Sequence, residues 1–224
     1  ASTGSSASGN GSAFYANVLY TPRTVDLNGL PFENPVDGRS VYYRGGNDIP
    51  NPNWLAEYTR AGSDVSRVSG KMALTYDILD NLSVTYRGGF DTYYEFQEYV
   101  VYAGIGPGPA NPDLDAGIYR TTHIRNDIWD HTGLLNYSKD INEDLNFSVL
   151  LGVNARLDRF DRDGLESSGQ NAFGFVEHGN FTTTSSQNNF PATPVDLQRR
   201  TVENLYATYG VLNVDYKSWL YLNL

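Results

Sequence analysis

The sequence predicts an all-β chain: an antiparallel transmembrane sheet of about six to seven strands, cut from a β-barrel and carrying long extracellular loops. Three observations predict it. One is "DLNFSVLLGVNARLDRF", Asp144 to Phe160, which alternates throughout its length. Another is a succession of tight turns at one end of the strands and long irregular segments at the other. The last is a strand count too low to close a single-chain barrel, of which the smallest have about eight.

In chain order, "ASTGSSASGNGSAF" lacks the basic and apolar regions of a signal peptide and reads as a flexible Gly/Ser segment. "SAFYANVLY" alternates briefly and offers a seventh strand. A long irregular segment follows, roughly Thr21 to Asp64, with "TPRTVDLNGLPFENPVDG" and "NDIPNPNW". The first hairpin is "TYDILDNLSVTY": Met72, Leu74 and Tyr76 share one face before the turn, and Leu82, Val84 and Tyr86 one face after it. Asp77, Asp80 and Asn81 supply the turn chemistry. A second irregular segment covers about Val101 to Thr121. The second turn is read from Ser138 to Asp144, between a strand near 123–138 and the long alternating strand.

That strand has two sets of side chains. Leu145, Phe147, Val149, Leu151, Val153, Ala155 and Leu157 are all apolar. Asn146, Ser148, Leu150, Gly152, Asn154, Arg156 and Asp158 are polar or Gly except for Leu150. Side chains alternate across a strand, so one face is apolar and the other polar. Strands in soluble proteins run about 5–6 residues, and a membrane-spanning strand needs roughly 9–11 or more. Taken alone, the stretch also fits a long edge strand of a soluble sandwich. The third irregular segment runs from about Asp161 to Gln198, and the third turn from Asp215 to Ser218 after Tyr206, Thr208, Gly210, Leu212 and Val214. Compact domains have loops of about 4–6 residues, so three long segments alternating with tight turns favour the barrel layout. Tyr76, Tyr86, Tyr93, Tyr94, Tyr137, Tyr216 and Trp219 near predicted strand ends fit aromatic girdles. "SWLYLNL" stops inside a strand pattern, so both ends read as cuts through a longer chain.

Composition excludes several classes. No apolar run approaches the roughly 18 residues of a spanning helix. The negative mean hydropathy is compatible with barrel strands, whose apolar face is diluted by alternation. The net charge of -10 comes without a basic stripe, which argues against a nucleic-acid partner. Cysteine is absent, so neither disulfides nor thiolate chemistry operate in this segment.

Four groups of residues bear on chemistry beyond the strands themselves. His123 and His131 share a strand face and are too far apart to hold one metal, which leaves a lumen-facing or interfacial pair. Asp161, Asp163 and Glu166 cluster oxygen donors near Gly164 as a candidate calcium loop; "NPDLDAG" is similar, and a solvated acidic loop is the alternative. No nucleophile elbow or triad is visible, so the chain is not read as an enzyme. Tyr42, Tyr43, Trp54, Phe173 and Phe181, aromatics in the long segments, are the candidates for contact with cargo or a partner; their alternative role is to fold the loops together.

"LYTPRTVDLNG…NPNWLAEYT…DVSRVSGKMALTYDILDNLSVTYRGGFDTY" resembles the SusC/RagA family of TonB-linked outer-membrane transporters. The likeness rests on Thr21, Pro22, Arg23 and Asp26; on Asn51, Pro52 and Trp54; and on Gly70, Leu74, Tyr76, Leu82, Val84, Arg87, Gly89 and Asp91. "YATYGVLNVDYKSWLYLNL" looks like the hairpin ahead of that family's "TGRND"-type strand. The likeness covers most of 14–98 and 199–224, and more loosely 117–158. It implies that residues 1–224 are part of a barrel of about 22 strands. It further implies a plug gating the lumen, energy drawn through TonB, a SusD-like surface lipoprotein over the mouth, outer-membrane lipid around the strands, and glycan fragments or peptides as cargo. It implies no cofactor, loop calcium aside. The chain departs from the full pattern in lacking a TonB box, the plug and the final strand with its terminal aromatic. Two other classes stay open: a secreted soluble β-sheet module that binds glycans, and a passive porin or barrel enzyme.

Overall fold

A computed structural model describes residues 14–41, 50–105, 115–186, 197–217 and 219–224. Two short helices precede seven strands: α1 (Phe14–Tyr20), α2 (Pro52–Tyr58), β1 (Thr59–Leu79), β2 (Leu82–Val101), β3 (Ile118–Asn142), β4 (Leu145–Gln170), β5 (Phe181–Ser185), β6 (Arg199–Tyr216) and β7 (Leu220–Asn223). One sheet holds all seven strands in the order β1-β2-β3-β4-β6-β7, with β5 paired to β4 off that path. β4 is 26 residues long and β3 is 25, several times the usual strand of about 5–6. Sequential neighbours joined by tight turns pair antiparallel; β6 meets β7 with Asn213 opposite Asn223 and Tyr216 opposite Leu220.

Three sequence expectations are corrected. The described part of "SAFYANVLY", "FYANVLY", is the helix α1 and not a strand: Asn17 is fully buried, and the Thr21 hydroxyl one turn on donates to the Asn17 carbonyl at 2.7 Å. A short apolar run fits both periods, and here the inward side chain sits at helical spacing. The second turn is far tighter than Ser138–Asp144, because β3 continues to Asn142 and the Asn142 carboxamide oxygen accepts from Asp144 N–H at 2.9 Å. Finally, Asp161 to Gln170 is strand and not loop. Its polar alternation hid it, but the backbone pairs with β5, Ser167 opposite Thr184 and Gln170 opposite Phe181.

The chain divides into two compact units, each built from non-contiguous segments. The first unit comprises 1–65, 95–124 and 162–199. Its core is Trp54, Leu55, Val101, Ile105 and Ile118, flanked by Phe32, Tyr58, Tyr99, Tyr102 and Phe173. α2 builds this core from its sequence. Asn51 caps it by accepting from Asn53 N–H at 2.9 Å, Pro52 occupies the first turn where no N–H is needed, and Trp54 and Leu55 fall inward. The Trp54 indole N–H donates to the Gly38 carbonyl at 2.9 Å, so its one polar atom is satisfied in the interior.

The second unit comprises 66–94, 125–161 and 200–224. Its organisation is different. Among its described residues only Asp127 and Gly152 are buried, and no hydrophobic side chain is. Leu74 is 62% exposed, Tyr76 72%, Val153 56% and Tyr206 77%. This unit has strands, ladders and apolar residues, and yet no core.

Candidate functional site

The strands of the second unit sort their side chains onto two faces, and cross-strand contacts fix which residues share one. On the first face Phe90 packs over Gly70, and its ring lies 5.7 Å from that of Trp129. Val153 leans over Gly133, Leu151 over Gly210, and Tyr137 meets Phe147 at 5.7 Å. Met72, Leu74, Tyr76, Leu82 and Val84 belong to this face by alternation. It is the apolar face expected for β4, extended across the neighbouring strands.

The opposite face is polar. The Arg67 guanidinium donates to Asp91 at 2.9 Å through Nε, and Thr75 and Thr85 hydroxyls meet at 3.0 Å. The Asn154 amide donates to Thr132 Oγ1 at 2.9 Å and to Asp130 Oδ1 at 3.2 Å. Asn213 donates to Ser148 Oγ at 3.3 Å, and Arg156 pairs with Asp158 at 3.3 Å. Gly152 is required here. Its hydrogen leaves room for the Tyr209 ring, which a Cβ would overlap. The side chains of this face hydrogen-bond laterally along the sheet, and together they form a wettable wall.

One exception sits on the apolar face. Tyr86 Oη and His131 Nδ1 are 2.6 Å apart, with the rings stacked at 6.1 Å. His131 is therefore not on the polar wall. His123, at the same parity in the first unit, lies against Phe96 with ring centroids 5.0 Å apart.

In the first unit, His178 joins separate elements. Its Nε2 is 2.9 Å from Thr121 Oγ1 and its Nδ1 is 2.8 Å from Ser167 Oγ, which also reaches Thr184 at 2.6 Å. Tyr119 packs on the imidazole at 4.4 Å. Burial pushes the His178 pKa below its ordinary value, which favours the neutral ring. On the opposite face of β3 and β4, Arg120 and buried Glu166 form an ion pair with Nε to Oε2 at 2.6 Å. Tyr58 donates to Glu33 at 2.6 Å; that bond, with burial, pushes the phenol up to about 12. Ser167 is wholly buried, so its contact with His178 is an internal staple and presents no accessible nucleophile.

The residues singled out from the sequence scatter. Tyr42 and Tyr43 lie outside the described residues. Trp54 is wholly buried in the core of the first unit. Phe173 is partly buried, with its ring 5.0 Å from Tyr58 and 5.2 Å from Tyr102. Phe181 is 7% exposed and stacks on Tyr119 at 6.1 Å. These three occupy the positions of loop-folding side chains. Asp161, Asp163 and Glu166 lie along β4, not in a loop. Asp161 pairs with Arg200 at 3.0 Å, Asp163 accepts from Gln198 at 3.1 Å, and Glu166, on the opposite strand face by alternation, holds Arg120. Among the described residues no three acidic or His side chains are grouped to hold a metal ion. A groove of about 510 Å³ near the tight turns is lined by Asp140, Asn142, Glu143, Asp144, Asp215 and Lys217. Of its carboxylates, Asp144 pairs with Lys217 at 3.5 Å and Asp140 accepts from the Asn146 amide.

The Asn154–Asp130–Thr132 cluster and the His178 staple were not singled out from the sequence. Asn154 stood in the polar set of β4, but its partners are on another strand. His178 joins residues with no local spacing motif.

Comparison with solved structures finds a similar fold in part of larger transporter chains. The structure of the RagAB peptide transporter matches with a TM-score of 0.63 at 16% identity, over 82% of this chain and 20% of that one. The RagAB peptide importer matches in its closed-closed state with a TM-score of 0.62 and in its open-open state with 0.63, both at 16% identity. The present chain thus spans about a fifth of the length of the chains it resembles. No family model matches the sequence, and no curated protein does.

Proposed function

We propose that this chain is part of the wall and the external loops of a TonB-dependent transporter in the Gram-negative outer membrane, one that imports peptides or glycan fragments. The observation that carries the reading is the coreless second unit: long antiparallel strands that gather most of their apolar side chains on one face and bury none of them among the described residues. Water would oppose such a surface at about 25 cal/mol per Å², whereas lipid accepts it. The band has the right height. Leu145 to Leu157 covers about 40 Å of strand, which a barrel tilt of about 40° reduces to roughly 30 Å, enough for the apolar band and its girdles.

On this reading the polar face lines the lumen. Its amides, hydroxyls and paired charges offer both donors and acceptors to a cargo backbone or to sugar hydroxyls. The sheet's outer edges, β1 and β7, pair with further strands of the longer polypeptide, because open edges are not tolerated in lipid. A SusD-like lipoprotein would cover the mouth, as the resemblance and the RagAB neighbours support; a plug coupled to TonB would gate it, a part of the reading that rests on the resemblance alone. Loop calcium stays a proposal: among the described residues no donor cluster is grouped to hold it, and Asn111 to Leu114 of "NPDLDAG" lie outside them.

The test is a pair of substitutions in the full-length protein. Leu151→Arg, on the apolar face, should cost about 2–4 kcal/mol of barrel stability at the midplane. Arg156→Leu, on the polar face, should leave insertion intact and change cargo uptake only. Equal effects on stability at the two positions would sink the assignment of faces.

A further inference from the structure

The apolar face of the second unit ends abruptly. Beyond Trp129 on β3 and Leu157 on β4, moving away from the tight turns, the same face carries Asp127, Arg125, Arg159 and Asp161, and β6 adds Arg200. Three adjacent strands switch from apolar to charged at one level. The contacts set that level: Asn126, with its amide turned to satisfy both ends, donates to the Arg159 carbonyl at 3.1 Å, and Arg200 Nε reaches Asp161 at 3.1 Å. The aromatic pair Phe90–Trp129 lies directly below.

The three arginines present their heads outward. Arg125 and Arg200 side chains are 64% and 75% exposed, each with one carboxylate partner. Arg125 approaches Asp127 through Nε at 2.7 Å, which leaves its two terminal nitrogens clear of that contact. Asp127 is itself buried, so it orients the guanidinium and contributes little negative surface. Arg159 is exposed, and its guanidinium has no partner among the described residues. The resulting row carries three cations against two carboxylates, Asp127 buried and Asp161 partly exposed, with exposed Asp163 the next side chain of β4 on this face, in a chain whose net charge is -10.

We propose that Arg125, Arg159 and Arg200 form a headgroup-level band that docks this face of the sheet against phosphate-bearing lipids of the outer leaflet. The inference rests on the transmembrane reading, which puts the apolar band below it in the acyl region. Charge complementarity and continuity with that band identify the occupant. Aromatic side chains mark the interface. Guanidinium forks bind phosphate oxygens in pairs. Basic residues at a membrane surface each add to the attraction for anionic lipid.

The test uses the full-length protein, extracted from membranes and titrated with dioleoyl phosphatidic acid or with dioleoylglycerol, which has the same acyl chains without the phosphate. Bound lipid is counted by native mass spectrometry. The protein should retain phosphatidic acid about tenfold better than dioleoylglycerol. The triple variant Arg125→Gln, Arg159→Gln, Arg200→Gln should lose that preference, while Lys217→Gln, a cation at the turn end, should keep it. If the triple variant fails to fold, Arg159→Gln alone, which removes no ion pair, should lower the preference by about threefold. An unchanged preference in these variants overturns the proposal. So does displacement of phosphatidic acid by millimolar inorganic phosphate, which would mark a site for free anions. Release of the chain from membranes by alkaline carbonate would reject the transmembrane reading itself; retention without a lipid preference rejects the headgroup band alone.

Discussion

Gly152 shows how one residue serves the wall. It lies on the polar face of β4, where the Tyr209 ring occupies the space of a side chain. Gly152→Val should cost about 1–3 kcal/mol through overpacking, read as a lower unfolding midpoint in detergent. The double variant with Tyr209→Ala should recover part of that loss, since the clash is between these two positions. Trp54 makes the complementary case. The sequence marked it as an aromatic available for contact, and the structure buries it against Leu55 and Tyr58. Nothing local distinguishes a loop aromatic that meets a ligand from one that anchors a helix. What could have told them apart is the "NPNW" cap, because Asn51 and Pro52 start a helix whose next turn must bury something. Trp54→Ala should destabilise the first unit by about 3–5 kcal/mol, visible as faster proteolysis of the loops, with insertion of the strands unchanged.

At the scale of elements, His178 makes the stability of the loop segment it staples depend on pH. Its folded pKa is depressed by burial, so the unfolded segment binds the proton more readily. The stabilisation is therefore complete above the ordinary His value near 6.5, declines as pH falls below it, and levels off beneath the folded pKa. The hydrogen-exchange protection factors of β5, corrected for the intrinsic pH dependence of exchange, should fall as pH drops from about 7.5 to 5, and His178→Gln should flatten that profile. Legibility divides along similar lines. β1, β2, β4 and β6 could be read from alternation because one face of each is apolar in the second unit. The extension of β4 into the first unit could not, since "DRDGLESSGQ" is polar on both faces apart from Leu165 and its end, from Glu166 on, is held by backbone pairing with β5. α1 misled because Phe14, Ala16, Val18 and Tyr20 alternate over a run too short to separate the two periods.

For the whole molecule, length and exposure matter more than any single site. A soluble sandwich would bury one face of each strand against a second sheet. Here the second unit buries no hydrophobic side chain among its described residues, and its strands run far past the lengths such folds use. The chain spans about a fifth of the length of the transporters it matches, and on the proposed reading further strands supply the remaining wall. The most direct measurement uses the absence of native cysteine in this segment. Single cysteines at Leu151 and Asn154, neighbouring levels on opposite faces of β4, would be labelled in native membranes with a fluorophore and challenged with brominated lipid or with an aqueous maleimide. Quenching by brominated lipid at position 151, and reaction with the aqueous maleimide at position 154, is the result predicted. Aqueous labelling at 151, or shielding of 151 from both reagents, would mean that the apolar face meets water or a second sheet, and the transmembrane account would be contradicted.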